Sequence, residues 1–153
     1  MDLLYALTIN PFLATGITAW MLAQVAKAII YAIVNKNFDI KRLFGDGGMP
    51  SSHSATVTSL AVITGLVKGF GSFEFAAAFI LAAIVCHDAT GVRREAGRHA
   101  VLLNEIIKSF DIISSKKFPK TNLNEFIGHT PVQVVVGMLI GVADAVLMYN
   151  VLM

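Results

Sequence analysis

The sequence predicts an all-α integral membrane protein, a helical bundle with about four transmembrane helices and one amphipathic helix on the cytoplasmic side. Its composition indicates this class, because 56% of the 153 residues are hydrophobic and only 14% are charged, about half the charged share of an average soluble domain. Disordered and nucleic-acid-coating proteins are excluded, since both need many more charges. The single cysteine excludes a disulfide-rich secreted module. The length fits one domain over residues 1–153.

Four apolar stretches provide the candidate spans. A helix needs roughly 20 residues to cross a bilayer, and the stretches at 11–34 and 131–153 reach that length. The stretches at 54–67 and 73–85 reach it only if their polar ends are included. The sequence therefore predicts two strong spans and two weaker ones.

Positive charge predicts the orientation of these spans. Ten of the twelve lysines and arginines fall in two segments, 36–42 and 93–120. Because basic loops stay on the cytoplasmic side of a membrane, four spans with both termini outside satisfy this distribution. We expect a multi-pass protein of a cell inner membrane or a plastid-type membrane.

The segment 95–126 differs from the four apolar stretches. Its apolar residues recur at spacings near 3.6, with charged residues between them, which is typical of an amphipathic helix. The residues that set this spacing are Val101, Leu102, Ile106, Ile107, Phe110 and Ile113. We expect this helix to lie on the cytoplasmic membrane surface or against the bundle, and the polar stretch 114–124 to form a loop.

The densest motif is the string GDGGMPSSHSA at 45–55, at the start of the second apolar stretch. A helix start offers unpaired N–H groups and a positive dipole end to a phosphate, and the hydroxyls of Ser51 and Ser52 add donors. We expect His53, one turn inside the helix, to give a proton to a leaving oxygen. The alternative is an ordinary glycine-rich turn with a serine N-cap.

Three further positions carry polar chemistry next to apolar stretches. Asp88 is followed by Arg93 and Arg94, whose planar guanidinium groups match phosphate oxygens; the alternative is a stop signal with Asp88 paired to an arginine. His129 stands at a helix start, where it could instead be a capping or interfacial histidine. Lys27 lies inside the first span, facing a cavity or extending its ammonium group to the interface.

The predicted orientation brings these residues to one cytoplasmic face. Two histidines, cationic groups and a helix start are what phosphoryl transfer needs when no metal takes part. No metal-ligand cluster is visible in the sequence, so we expect no cofactor, although phosphate or vanadate fits such a site. We expect a membrane lipid as partner and no nucleic acid. Gly137 and Gly141 form a small-residue face for tight helix packing.

The strings GGMPSSHSA at 47–55, DATGVRREAG at 88–97 and GHTP at 128–131 resemble the divergent branch of the type 2 phosphatidic acid phosphatase and vanadium haloperoxidase superfamily. The resemblance covers nearly the whole chain and implies a core like that of these phosphatases. It implies hydrolysis of a phosphomonoester or diphosphate through a phosphohistidine. By the superfamily motifs, His53 is the general acid, His129 the nucleophile and Lys27 a phosphate ligand.

The sequence departs from the superfamily pattern at several positions. Gln133 replaces the aspartate that would orient the nucleophile, and the arginine expected just before His129 is absent. If the resemblance extends to the site, it implies that Arg93 or Arg94 replaces that arginine and that Asp88 replaces the carboxylate. In a rival alignment, Arg93 and His99 form the third motif. The superfamily core has six helices, so either the site is trimmed or a second copy completes it, and we expect a homo-oligomer.

The resemblance predicts a membrane phosphatase acting on a lipid phosphate monoester or diphosphate, with phosphatidic acid, phosphatidylglycerophosphate and prenyl diphosphates as open substrates. Three alternatives are a non-enzymatic protein that binds lipid phosphate at a degenerate site, a vanadium-dependent haloperoxidase, and a transporter or flippase component. Gln133 and the absent arginine favour the first alternative.

Overall fold

The computed structural model describes residues 10–36, 48–113 and 128–153, with the backbone alone at 92–94 and 110–113. Within these residues the chain forms α-helices and no strand. The helices are α1 (Pro11–Asn35), α2 (Ser52–Lys68), α3 (Phe73–Thr90), α4 (Val92–Ile113) and α5 (Pro131–Leu152). Each predicted helix is present with boundaries close to those expected, and the part of the amphipathic segment beyond residue 113 lies outside the described residues.

Side-chain caps explain where four of these helices begin. The side-chain oxygens of Asn10, Ser51, Ser72 and Thr130 accept hydrogen bonds from first-turn N–H groups of α1, α2, α3 and α5. Such caps satisfy donors that the helix itself cannot. The third helix ends at Gly91, whose N–H donates to the His87 carbonyl oxygen at 3.0 Å, and α4 begins at the next residue.

The second helix is the centre of the bundle. It contacts α1, α3 and α5, whereas α4 contacts only α3 among the described helices. Small residues such as Ser54, Ala55, Ser59 and Gly65 are buried along it, which allows three neighbours to approach closely. At 17 residues, α2 is about 26 Å long at 1.5 Å per residue, slightly shorter than the roughly 30 Å hydrocarbon core of a bilayer.

The surface of the bundle is suited to lipid. Among the described residues, three helical stretches are long and apolar enough to cross a membrane: α1 (Pro11–Asn35), the stretch Phe73–Ser109 that includes α3 and most of α4, and α5 (Pro131–Leu152). The 17-residue α2, which was predicted as one of the weaker spans, is not among them. Large apolar side chains are exposed on the three stretches, for example Val34 at 74%, Phe73 at 83% and Leu139 at 64%. A soluble monomer rarely exposes so much contiguous apolar surface, so this is a membrane-embedded all-α bundle.

Two glycines allow α5 to pack directly on the backbone of α2. A Cβ atom at Gly137 would collide with the Ser51 carbonyl oxygen, and one at Gly141 would collide with the Ala55 carbonyl oxygen. The predicted small-residue face is therefore confirmed as a packing face, and it is used within the chain.

We predict that Gly137→Ala destabilises the bundle by about 1–3 kcal/mol, the usual cost of overpacking, despite the roughly 1 kcal/mol that alanine gains in helix propensity. Thermal unfolding in detergent micelles should show a lower midpoint. Gly71→Ala is the matched control, because a Cβ atom there meets nothing within 4 Å. Equal midpoints for the two variants would contradict the close α2–α5 packing.

Candidate functional site

The first turns of α2 and α5 lie side by side at one end of the bundle. The backbone N–H of Ser51 donates to the carbonyl oxygen of Gln133 at 3.0 Å, and Gly137 packs on Ser51. The segments 51–53 and 128–131 are far apart in sequence, yet this contact makes them neighbours. We refer to this end of the bundle as the shared end.

His129 is held by Gln133 in a defined hydrogen-bond arrangement. Gln133 Oε1 accepts from the Thr130 backbone N–H at 3.0 Å and lies 3.2 Å from His129 Nδ1. A backbone N–H can only donate, which fixes that amide atom as the oxygen, so the imidazole nitrogen facing it must donate as well. His129 therefore carries its proton on Nδ1 when neutral, and Nε2 keeps its lone pair.

The capping box at the start of α5 holds Gln133 itself in place. Thr130 Oγ1 accepts from the Gln133 backbone N–H at 3.4 Å, and the Gln133 side chain accepts from the Thr130 N–H. Two orphan donors are thus satisfied reciprocally. One glutamine oxygen serves both the helix cap and the histidine, so the ring of His129 is oriented by an element that the helix needs for its own stability.

The two serines at the start of α2 are buried rather than presented to solvent. Ser51 is fully buried, and its hydroxyl caps the helix by accepting from the Ser54 N–H at 3.3 Å and the Ser54 hydroxyl at 2.9 Å. Ser52 is 3% exposed. The sequence left open whether Ser51 is an N-cap, and the structure shows that it is. The cap uses the Ser54 N–H, so the first-turn donors that this segment can offer an anion are the backbone N–H groups of Ser52 and His53, which lack intrahelical acceptors.

His53 is the second residue of α2, not a full turn inside it as expected, and its side chain is exposed. Ala55 and Thr58 are on the α2 face that α5 covers. At 3.6 residues per turn, position 53 lies about 160° around the helix from position 55. The start of α2 thus separates His53 from the α5 side, where His129 lies.

Lys27 lies at the shared end, next to the glycine-rich motif. The side chain is 4% exposed, and its Cγ is 3.5 Å from the place where a Cβ of Gly48 would be. Lys27, Gly48, Met49 and Tyr31 belong to the lining of a cavity of about 180 Å³. Lys27 therefore lies close to the described part of the motif at 45–55, as expected from the sequence.

Asp88 and the basic cluster lie at the junction of α3 and α4. Asp88 is half-buried in the last turn of α3, the end of that helix that returns to the shared end. Arg93 and Arg94 are in the first turn of α4, and their side chains lie outside the described residues, so their predicted role stays a prediction. Arg98 pairs with Glu95 at 2.7 Å on the exposed surface, and His99 is exposed.

Two polar contacts were not predicted from the sequence. Gln133 was interpreted only as the loss of an aspartate, although the Thr-x-x-Gln spacing at 130–133 is the signature of a capping box. Asp144, which is 5% exposed inside the bundle, was given no role. Thr18 Oγ1 donates to Asp144 Oδ2 at 3.0 Å, a contact across 126 residues that links α1 to α5 and that no local sequence pattern indicates.

Comparison with known proteins gives two results. The profile of the family described as "Divergent PAP2 family" matches residues 8–144. The chain is similar to the uncharacterized membrane protein YuiD of Bacillus subtilis (strain 168), with 40% identity over 139 residues, or 85% of this chain and 88% of that protein. No solved structure matches the chain significantly.

We predict that nitrogen-15 NMR of histidine-labelled protein shows neutral His129 as the Nδ1–H tautomer, because Gln133 Oε1 can only accept from it. In Gln133→Leu the signal should move toward the Nε2–H form that free imidazoles prefer. Gln133→Glu, which keeps an accepting oxygen at that position, should retain the Nδ1–H signal. An Nε2–H signal in the unmodified protein would contradict the assigned hydrogen bond.

Proposed function

Because the chain belongs to the divergent PAP2 family, we propose that it is a metal-independent membrane phosphatase that hydrolyses a lipid phosphate monoester or diphosphate through a phosphohistidine. The observation that carries this proposal is the orientation of His129, whose Nδ1 lies 3.2 Å from the accepting Gln133 Oε1, so that the proton of the neutral ring is on Nδ1 and not on Nε2. An imidazole with an unprotonated Nε2 next to a helix N-terminus is an arrangement suited to phosphoryl transfer.

In the first step Nε2 of His129 attacks phosphorus and the bond from phosphorus to the lipid oxygen breaks. His53 gives its proton to that oxygen, so the lipid leaves as a neutral alcohol. The phosphorylated imidazole of His129 carries a positive charge, which strengthens its Nδ1–H hydrogen bond to Gln133. This is the work that an aspartate would do, performed here by a neutral amide.

In the second step water attacks the phosphohistidine. His53, now neutral, takes a proton from the water, the bond between phosphorus and Nε2 breaks, and inorganic phosphate departs. Both ring nitrogens of His129 and the proton on His53 are thereby restored. Such general acid–base assistance contributes roughly 10²–10⁴-fold to the rate.

The proposed roles of the two histidines require an in-line reaction. Phosphoryl transfer places the attacking and leaving atoms on opposite sides of phosphorus. His129 is on the α5 side of the α2 start, and His53 is about 160° around that helix from the α5-facing residues. A phosphoryl group above the first turn of α2 would lie between the two.

The phosphoryl oxygens need donors and positive charge. We assign this role to the buried Lys27 and to the backbone N–H groups of Ser52 and His53. Arg93 and Arg94 at the start of α4 would add positive charge. Asp88 would hold one of these cations in place, since carboxylates near a membrane surface require a charged or hydrogen-bonding partner. Orthovanadate, which resembles the phosphoryl transition state, should occupy the same site.

We predict that the purified protein releases phosphate from phosphatidic acid in mixed micelles containing a chelator. His129→Ala should abolish release because the nucleophile is lost, and His53→Ala should reduce the rate by about 10²-fold or more. His99→Ala is the matched control, because the rival alignment makes His99 the nucleophile while the structure leaves it on the exposed surface of α4.

The contradicting results are distinct. Full activity of His129→Ala together with an inactive His99→Ala would identify His99, not His129, as the nucleophile. Saturable binding of phosphatidic acid without any phosphate release would favour the non-enzymatic lipid-phosphate-binding protein.

We further propose that the shared end faces the cytoplasm, because the basic segments 36–42 and 93–120 lie beside it in the chain and obey the positive-inside rule. In a Cys86→Ala background, a cysteine at Lys36 should be protected in intact cells from a membrane-impermeant thiol reagent. A cysteine at Gly71, in the opposite turn, should be labelled. The reverse pattern would place the site on the outer side.

A further inference from the structure

The central helix has one face that none of the other described helices covers. The first and third helices both pack on α2 but do not contact each other within the described residues. A strip of α2 therefore remains open between them. Thr56, Leu60 and Thr64, all on one face of the helix by their spacing, lie along this strip and form the floor of a groove.

Two adjoining recesses make up this groove, and both include Phe12 and Leu60. One has a volume of about 260 Å³ and is bounded on the α1 side by Gly16 and Trp20. The other has a volume of about 360 Å³ and is bounded on the α3 side by residues that include Ala77. Volumes of this order are typical of small-molecule sites, and the lining is almost entirely apolar.

The threonines in the groove do not make it polar. The Thr56 hydroxyl donates to the Ser52 carbonyl oxygen at 2.8 Å, and the Thr64 hydroxyl donates to the Leu60 carbonyl oxygen at 2.7 Å. Both hydroxyl protons are therefore used within α2. Only at the end furthest from the shared end do charged residues, Lys68 and Glu74, join the lining.

The length of the groove matches a lipid chain. From Thr56 to Lys68 it follows α2 for about 18 Å at 1.5 Å per residue. Half of the hydrocarbon core of a bilayer is about 15 Å. An extended hydrocarbon chain from one leaflet therefore fits along the groove and ends before its charged end.

The groove leads to His53. Positions 53, 56, 60 and 64 follow the spacing of a single helix face, and the His53 side chain is exposed at the start of that face. A lipid whose chain lies in the groove would thus carry its head group to the imidazole. This continuity distinguishes the groove from the rest of the lipid-facing surface.

We propose that the groove between α1 and α3 binds one hydrocarbon chain of the substrate, a long-chain lipid phosphate that enters sideways from the bilayer. The inference rests on the proposed function, because it places the leaving oxygen, to which the chain is attached, on the His53 side of phosphorus. His129 then attacks from the other side, and the groove selects lipid phosphates over soluble phosphate esters.

Kinetics with two substrates test the groove. Ala77→Phe places a ring in one recess, whereas Ala83→Phe makes the same change at an exposed α3 position that lines neither recess. We expect Ala77→Phe to lower kcat/KM for dioleoyl phosphatidic acid by roughly tenfold or more, since displacing about two buried methylene groups costs that much. Activity on dihexanoyl phosphatidic acid should be unchanged, and Ala83→Phe should alter neither.

Photolabelling provides a readout that does not need turnover. Phosphatidic acid with a diazirine near the end of one acyl chain should label peptides from 11–20 and 73–81. Unlabelled phosphatidic acid should compete, phosphatidylcholine should not, and Ala77→Phe should reduce the labelling. Even labelling of all lipid-facing surfaces would contradict chain binding in the groove. An Ala77→Phe variant with unchanged chain-length preference would contradict it as well.

The two proposals fail separately. Groove labelling without phosphate release would support chain binding in the groove and contradict the proposed phosphatase activity. Phosphate release that depends on His129, together with labelling outside the groove, would support the phosphatase activity and contradict chain binding in the groove.

Discussion

The close contact between α5 and α2 is the constraint on which the rest of the structure depends. Within a membrane, backbone polar groups must find partners inside the protein, and the Ser51 N–H finds the Gln133 carbonyl oxygen at 3.0 Å. Gly137 and Gly141 make this approach possible, because any side chain there would collide with α2. The same contact sets the start of one helix beside the other and so creates a polar end on an apolar bundle.

The proposed chemistry follows from how that end is built. A histidine becomes a phosphoryl acceptor only when one nitrogen keeps its lone pair, and an accepting oxygen at Nδ1 ensures this. Here the oxygen belongs to an uncharged glutamine that also closes the cap of α5. A neutral amide stabilises the phosphorylated ring less than a carboxylate would, so we expect the proposed reaction to be slower than it would be with an aspartate at position 133.

Much of the fold could be predicted from the sequence because the positions of the helices depend on local sequence patterns. Apolar runs defined the spans, the spacing near 3.6 defined α4, and the string before His53 marked the start of α2. The contacts between helices could not be obtained in this way. Nothing local indicates that Thr18 meets Asp144, or that His53 faces an open strip of α2 while Ser51 is fully buried. The helical phase of a short, nearly uniform segment is decided by its neighbours.

The most direct test of the account is an experimental structure with orthovanadate bound. We predict that vanadium lies above the first turn of α2, with Nε2 of His129 as one axial ligand and the opposite axial oxygen on the His53 side. Vanadate bound at His99 would contradict this prediction. So would vanadate that lies near only one of the two histidines, His53 or His129.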